Sequence, residues 1–307
     1  LNSFGKRREP FLFICDFLAK NLHVVPLDKL KSHDIEFCID ENYPIKKHVD
    51  FLKKKTISFE KYKKKFDFVI DKIKSGETYL LNLTQPTNIE TPLTLKEIYK
   101  YANAHYKLRY KDEFVCFSPE KFIQIEDSKI STYPMKGTID ASLPNAKERI
   151  LNNEKETAEH VMVVDLLRND LSIVAEDVKV EAFRYLTQIE AGDKKLLHVS
   201  SHISGVVGDD WHSKIGDILS SILPAGSISG TPKKSTLDII GEIEGYERGY
   251  FSGIFGVYDG KTLDSAVMIR FVEKTKEGYI YKSGGGITID SDAKSEYNEL
   301  LDKVYLP

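Results

Sequence analysis

At 307 residues, with 41% hydrophobic and 30% charged side chains, the chain has the composition of a globular protein rather than a disordered, fibrous or membrane one. Its 44 Lys and Arg against 47 Asp and Glu leave a formal net charge of -3, so no overall positive field draws it to nucleic acid or anionic lipid. Three cysteines, Cys15, Cys38 and Cys116, have neither the spacing of a zinc or redox site nor the density of a disulfide framework, and point to a reducing cytoplasm.

In chain order, the most apolar early stretch, 11–19, is broken by Asp16 and is far shorter than the ~20 residues of a bilayer-spanning helix. The chain therefore reads as neither exported nor anchored in a membrane. Phe59, Tyr62, Phe66, Val69, Ile70 and Ile73 recur at the spacing of one helical face. With Ser58 as N-cap and Gly76 as stop, they predict a helix over 59–75 whose lysines form a solvated side. Runs rich in β-branched and aromatic residues predict strands over 114–126, 129–135, 196–207, 251–258, 263–274 and 279–289. Short turns at Asp127-Ser128, Asp259-Gly260 and Glu277-Gly278 join them as antiparallel hairpins, which argues against a Rossmann-type sheet. Further helices are predicted over 146–169, from Thr231-Pro232 to just before Gly245, and over 293–304. No repeat, low-complexity tract or linker divides the chain, so one compact unit of α+β class is expected.

Several residues carry chemistry in their pattern. Glu296, Glu299 and Lys303 share one stripe of the last helix, which by spacing alone is a surface ion pair. Immediately upstream, Ser283-Gly284-Gly285-Gly286 offers consecutive residues without a Cβ, whose backbone N–H groups can approach an anion. Glu156 and Glu159 share a face of the 146–169 helix. Carboxylates from two helices suit a hard cation such as Mg²⁺, and no Cys/His cluster argues for zinc. Lys136 stands between Pro134 and Gly137; most lysines are solvated, but one held in a partly dehydrated pocket is a nucleophile. Glu120 follows Pro119 at a kink, placed either for general acid work or in solvent. Arg270 is the lone arginine of the apolar run 266–271, where it needs an anionic partner, at a site or in a structural ion pair. His198 and His202 share a strand face, where a structural histidine is the ordinary role. The run Gly226-Ser-Ile-Ser-Gly-Thr-Pro-Lys-Lys-Ser235 is not a phosphate-binding P-loop, because Thr231-Pro232 stand where that loop needs lysine.

Taken together, the chain resembles the chorismate-utilising enzyme family, and within it component I of the aminodeoxychorismate (para-aminobenzoate) synthases. The resemblance runs from about residue 58 to the end, with 1–57 as a short, reduced N-terminal region. It is carried by Gly76-Glu-Thr-Tyr-Leu-Leu-Asn-Leu-Thr84, Ser118-Pro-Glu120, Pro134-Met-Lys-Gly-Thr138 and Glu159-His-Val-Met-Val-Val-Asp-Leu-Leu-Arg-Asn-Asp-Leu171. It continues through Pro224-Ala-Gly-Ser-Ile-Ser-Gly-Thr-Pro-Lys233, Arg248-Gly249, Ile269-Arg270, Gly284-Gly-Gly-Ile287 and Glu296-Tyr-Asn-Glu299.

The resemblance implies two packed antiparallel sheets flanked by helices, with chorismate and Mg²⁺ in a cleft. It implies Glu159, Glu296 and Glu299 as metal-binding residues, and Arg270, Lys303, Ser227, Thr138 and the amides of Gly284, Gly285 and Gly286 as substrate-binding groups. Lys136 matches the lysine of the aminodeoxychorismate branch, where anthranilate synthases carry alanine. The implied mechanism is attack of Lys136 on ring carbon 2 with Glu120 as general acid, then addition of ammonia at carbon 4; His198 matches a family active-site histidine. The product, 4-amino-4-deoxychorismate, leads to para-aminobenzoate and folate. None of the cysteines sits in a Gly-x-Cys-x-Gly elbow, so a separate glutamine amidotransferase subunit is expected to supply ammonia. Anthranilate synthase component I is the alternative within the family, and a non-catalytic anion-binding subunit the alternative outside it.

Overall fold

The computed structural model describes residues 1–39, 52–191 and 194–306. The chain folds into two compact units, each discontinuous in sequence: one comprises Leu1–Phe11, Glu120–Leu223 and Gly256–Ser265, the other Leu12–Pro119, Pro224–Phe255 and Ala266–Pro307. Among the described residues, two large antiparallel sheets, one of nine strands and one of eight, combine with helices in the α+β architecture the sequence predicts. Among the described residues no helix is long and apolar enough to cross a membrane.

The second unit holds the eight-stranded sheet, in the order Gly230–Thr231, Leu80–Glu90, Gly278–Ile287, Phe271–Thr275, Phe114–Ser118, Tyr106–Tyr110 and Ile35–Ile39, with Lys53–Lys55 also paired to Leu80–Glu90. The helix Phe59–Lys74 forms as its apolar spacing dictates. Ser58 Oγ accepts the Lys61 amide at its start, and Gly76, at φ +77, turns the chain out at its end. Tyr62, Phe66, Val69 and Ile73 pack into one core with Leu81, Leu83, Ile287, Tyr297 and Leu300. Each such side chain contributes about 1.5–3 kcal/mol on burial. Tyr297 and Leu300 thereby fix the rotation of the helix Ala293–Asp302. That helix starts at Asp292, whose carboxylate accepts the amides of Lys294 and Ser295.

In the first unit the neighbouring strands run Met135–Asp140, Lys194–Val206, Lys129–Thr132 and Lys121–Glu126, and Glu176–Ala191 pairs with Lys194–Val206. Asp127 and Ser128 both take positive φ, the two-residue turn read from the sequence. The helix Glu154–Ser172 lies against Met135–Asp140, Glu176–Ala191 and Lys194–Val206.

Several boundaries differ from the sequence reading. The helix expected over 146–169 is two, Ala146–Leu151 and Glu154–Ser172, because Asn153 acts as a fresh N-cap and accepts the Glu156 amide through its side chain. The strand expected over 114–126 stops at Ser118 and resumes at Lys121, since Pro119 has no N–H for a ladder. The strand expected over 263–274 breaks at Arg270, which takes φ +51, so Arg270 stands at a kink between strands and not within one. Pro232 itself is the N-cap of the helix Lys233–Ile243, one residue later than expected.

Candidate active site

In the first unit, Lys136 is placed by an irregularity in its strand. Met135 lies opposite Ser200 and Thr138 opposite His198, so the register slips between them, with Gly137 at φ +96 taking up the extra residue. This bulge brings Lys136 Nζ to 2.6 Å from Glu159 Oε2; the lysine side chain is 28% exposed and the glutamate 11%. Lys155, one turn before Glu159 on the same helix, stands 3.8 Å from its other oxygen. Glu156 points at the bulge as well, its carboxylate 3.4 Å from where a Cβ on Gly137 would sit.

The next residue, His160, anchors this helix: it is fully buried, its Nε2 2.7 Å from Ser201 Oγ, which also accepts the Arg184 amide at 2.9 Å. Arg184 in turn donates to the carbonyls of Ile150 and Leu151, covering the end of the preceding short helix. His198 Nδ1 lies 2.7 Å from Met135 Sδ and 3.5 Å from Thr138 Oγ1, while its Nε2 is buried without a hydrogen-bond partner. Burial pulls both His160 and His198 below the ordinary histidine value and keeps them neutral near pH 7. Glu120 occupies the half-buried break between Phe114–Ser118 and Lys121–Glu126.

In the second unit, the glycine run lies inside the strand Gly278–Ile287, with Gly284, Gly285 and Gly286 opposite Thr84, Leu83 and Asn82. A Cβ on Gly284 would meet the Leu83 carbonyl oxygen at 2.5 Å, so glycine there lets two strands approach. A Cβ on Gly285 would instead face Glu296 Oε2, Glu299 Oε1 and Lys303 Nζ, at 3.4, 3.6 and 3.8 Å. The structure thus gathers Gly285, Glu296, Glu299 and Lys303, as the sequence predicts. Lys303 Nζ sits 2.6 Å from Glu299 Oε1 and donates to the Gly284 carbonyl at 2.9 Å. Glu296 is buried and accepts from Ser291 Oγ at 3.0 Å. Arg270 stacks over the Tyr305 ring, 5.6 Å from its centre, with Nε donating to the phenol oxygen at 3.4 Å. Ser227 lies in the short helix Gly226–Ser229, where its carbonyl accepts from Asn82 Nδ2 at 2.9 Å.

The sequence reading did not anticipate the supports. Ser291, Tyr305 and Lys155 each touch a candidate residue, and Ser201 holds His160, the neighbour of Glu159. A buried pair, Arg248–Glu244 at 2.7 Å, ties Thr84 into the same sheet, because Glu244 Oε1 also accepts the Thr84 amide and hydroxyl. The i,i+4 spacing of Glu244 and Arg248 was the available signal.

Glu159, Glu296 and Glu299 present hard carboxylate oxygens, the donor type Mg²⁺ takes. Among the described residues no three His, Cys, Asp or Glu side chains are gathered as a closed metal cluster. Glu159 and Glu299 instead each hold a lysine ammonium at 2.6 Å, so each of these carboxylates already carries a positive partner of the kind a cation ligand needs. All three cysteines are buried; burial raises the Cys15 thiol to about 11 and pushes Cys116 upward too, so neither is an activated thiolate at neutral pH.

A family model described as chorismate binding enzyme matches residues 30–306. The chain belongs to this family. An uncharacterized PabA-like protein of Haemophilus influenzae is 48% identical over 313 aligned residues, covering all of this chain and 94% of the relative. Aminodeoxychorismate synthase component 1 of Salmonella typhimurium is 33% identical over 259 residues, covering 79% of this chain and 56% of that protein. Among solved structures, anthranilate synthase component I from Streptococcus pneumoniae superposes with a TM-score of 0.71 at 26% identity, covering 83% of this chain and 59% of the other. The chain therefore spans little more than half the length of these last two. As a member of the family it is a chorismate-utilising enzyme of the anthranilate synthase component I type.

Proposed function

We propose that the chain aminates chorismate to 4-amino-4-deoxychorismate, with Lys136 as covalent nucleophile. The observation that carries this is Lys136 itself: a lysine delivered by a strand bulge to 2.6 Å from Glu159, where the anthranilate-forming branch carries alanine. The likeness to aminodeoxychorismate synthase component 1 supports it.

In this reading Lys136 leaves Glu159, gives a proton to solvent that it regains after the cycle, and forms a C–N bond at ring carbon 2 as both ring double bonds shift and the carbon-4 hydroxyl departs. Glu120 protonates that hydroxyl, so it leaves as water. Ammonia then bonds to carbon 4, both double bonds shift back, and the Lys136 amine is expelled; the proton released on amination returns to Glu120. The sum is chorismate plus ammonia giving aminodeoxychorismate plus water. Splitting one displacement into two is what the amine contributes. Glu159, Glu296 and Glu299 would hold Mg²⁺, which would supply charge stabilisation to the substrate. Arg270 and Lys303, with Ser227, Thr138 and the amides of Gly284, Gly285 and Gly286, receive the substrate carboxylates and hydroxyl. His198, kept neutral by burial, offers its unpaired Nε2 to the substrate.

Ammonia comes from a glutamine amidotransferase subunit, since two of the cysteines are held as inert thiols and none lies in a nucleophile elbow. The test is mass identification of the product from chorismate, Mg²⁺ and ammonium. Aminodeoxychorismate, lost in Lys136→Ala, is expected. Anthranilate, or a Lys136→Ala variant as fast as wild type, overturns the reading.

A further inference from the structure

We infer that Lys136, beyond its proposed role as nucleophile, is the built-in counter-ion that sets how tightly Glu159 takes a divalent cation. The inference rests on the reading of Glu159 as a cation ligand. Glu159 is only 11% exposed, and a carboxylate so poorly hydrated needs a positive partner. Two lysines are in range, and they differ. Lys155 stands 3.8 Å away on the same helix, and its side chain is 44% exposed. Lys136 stands at 2.6 Å, is less exposed, and comes from a strand whose course is fixed by the bulge at Gly137 and by pairing of Thr138 with His198. It is held in place by the fold, whereas Lys155 stands farther off and is more exposed.

An ammonium 2.6 Å from Glu159 Oε2 and a divalent cation on that same oxygen exclude one another by size and by like charge. Cation binding at Glu159 Oε2 therefore requires Lys136 to withdraw, and withdrawal is also what the lysine needs before it attacks carbon 2. The same contact that holds the amine in place before substrate arrives weakens the metal site. A chain with a neutral side chain at this position has no such competitor.

The experiment is titration of the substrate-free protein with Mn²⁺ alone, following the free-ion electron paramagnetic resonance signal. Lys136→Gln and Lys136→Met are each expected to bind Mn²⁺ about five- to tenfold more tightly than wild type, the scale of a partly buried ion pair removed. Lys136→Arg, which keeps the charge, is expected to stay within about twofold of wild type, as is Lys155→Gln. Glu159→Gln is expected to weaken binding. If Lys136→Gln and Lys136→Met bind no more tightly than wild type while Glu159→Gln weakens binding, the inference falls and the cation reading stands. If Glu159→Gln leaves Mn²⁺ affinity unchanged, or no variant binds the ion, both fall.

Discussion

Gly284 and Gly285 are adjacent in one strand, yet the structure predicts opposite consequences for replacing each by alanine. A methyl on Gly284 falls 2.5 Å from the Leu83 carbonyl oxygen and 2.8 Å from Thr84 Cα, backbone atoms of the paired strand Leu80–Glu90. The ladder has to part by roughly 1 Å to admit it, and overpacking of this kind costs about 1–3 kcal/mol. The nearest atoms to a methyl on Gly285 are the ends of Glu296, Glu299 and Lys303, at 3.4 to 3.8 Å, which is ordinary contact distance. Its backbone is not left-handed, so alanine there removes unfolded-state freedom and stabilises by about 0.4–1 kcal/mol. The two variants should thus differ by about 1.4–4 kcal/mol in urea unfolding followed by circular dichroism. Activity should separate them the other way when normalised to folded protein. Gly285→Ala fills the space beside both carboxylates and is expected to lose at least roughly tenfold in kcat/KM, about 1.4 kcal/mol of transition-state stabilisation. Equal destabilisation by the two alanines, or a fully active Gly285→Ala, would refute the assignment of Gly285 to the site.

Other residues give checks of the same kind. Arg248→Met strands the buried Glu244 carboxylate and removes four Arg248 hydrogen bonds, two to Glu244 and one each to the Ile228 and Asn82 carbonyls. It is expected to cost about 3–5 kcal/mol, with much of that recovered in Arg248→Met/Glu244→Leu; a loss under about 1 kcal/mol in the single variant would mean the pair is not what holds these strands. Burial lowers His160, His198 and His202 below the usual 6.5, so below that pH the unfolded chain binds more protons than the folded one. Their contribution is complete above pH 6.5 and is lost as pH falls through the depressed values, so melting temperature should drop between pH 6.5 and 5. A flat profile that His160→Asn leaves unchanged would contradict this. Asn153→Ala removes the cap that starts the helix Glu154–Ser172 and should lower stability by about 1 kcal/mol in urea, an effect that Asn153→Asp should largely spare.

What the sequence makes legible follows from how local each cause is. The helix Phe59–Lys74 is readable because its apolar face, its Ser58 cap and its Gly76 stop all lie within one stretch. The hairpin turn at Asp127-Ser128 is readable for the same reason. The strand Glu176–Ala191 is harder to read: Val178, Val180 and Ala182 alternate with Lys179 and Glu181, but the phase changes at Phe183 and Tyr185, where the register with Lys194–Val206 also shifts. Arg270 reads as a strand residue because its neighbours are apolar, while its positive φ is set by surrounding structure that no window of sequence contains.

The same distinction runs through the candidate site. Lys303 and Glu299 are four apart on one helix, so their contact follows from helical geometry and was visible as spacing. Lys136 and Glu159 belong to a strand and a helix, and nothing in either segment alone sets the distance between them. Their contact depends on the register slip between Met135 and Thr138 and on Gly137 at φ +96. In a regular ladder Gly137 would need no positive φ, and Lys136 would follow the two-residue alternation of its strand instead of the course the bulge gives it. A strand irregularity, invisible to periodicity, therefore decides which carboxylate the Lys136 amine meets.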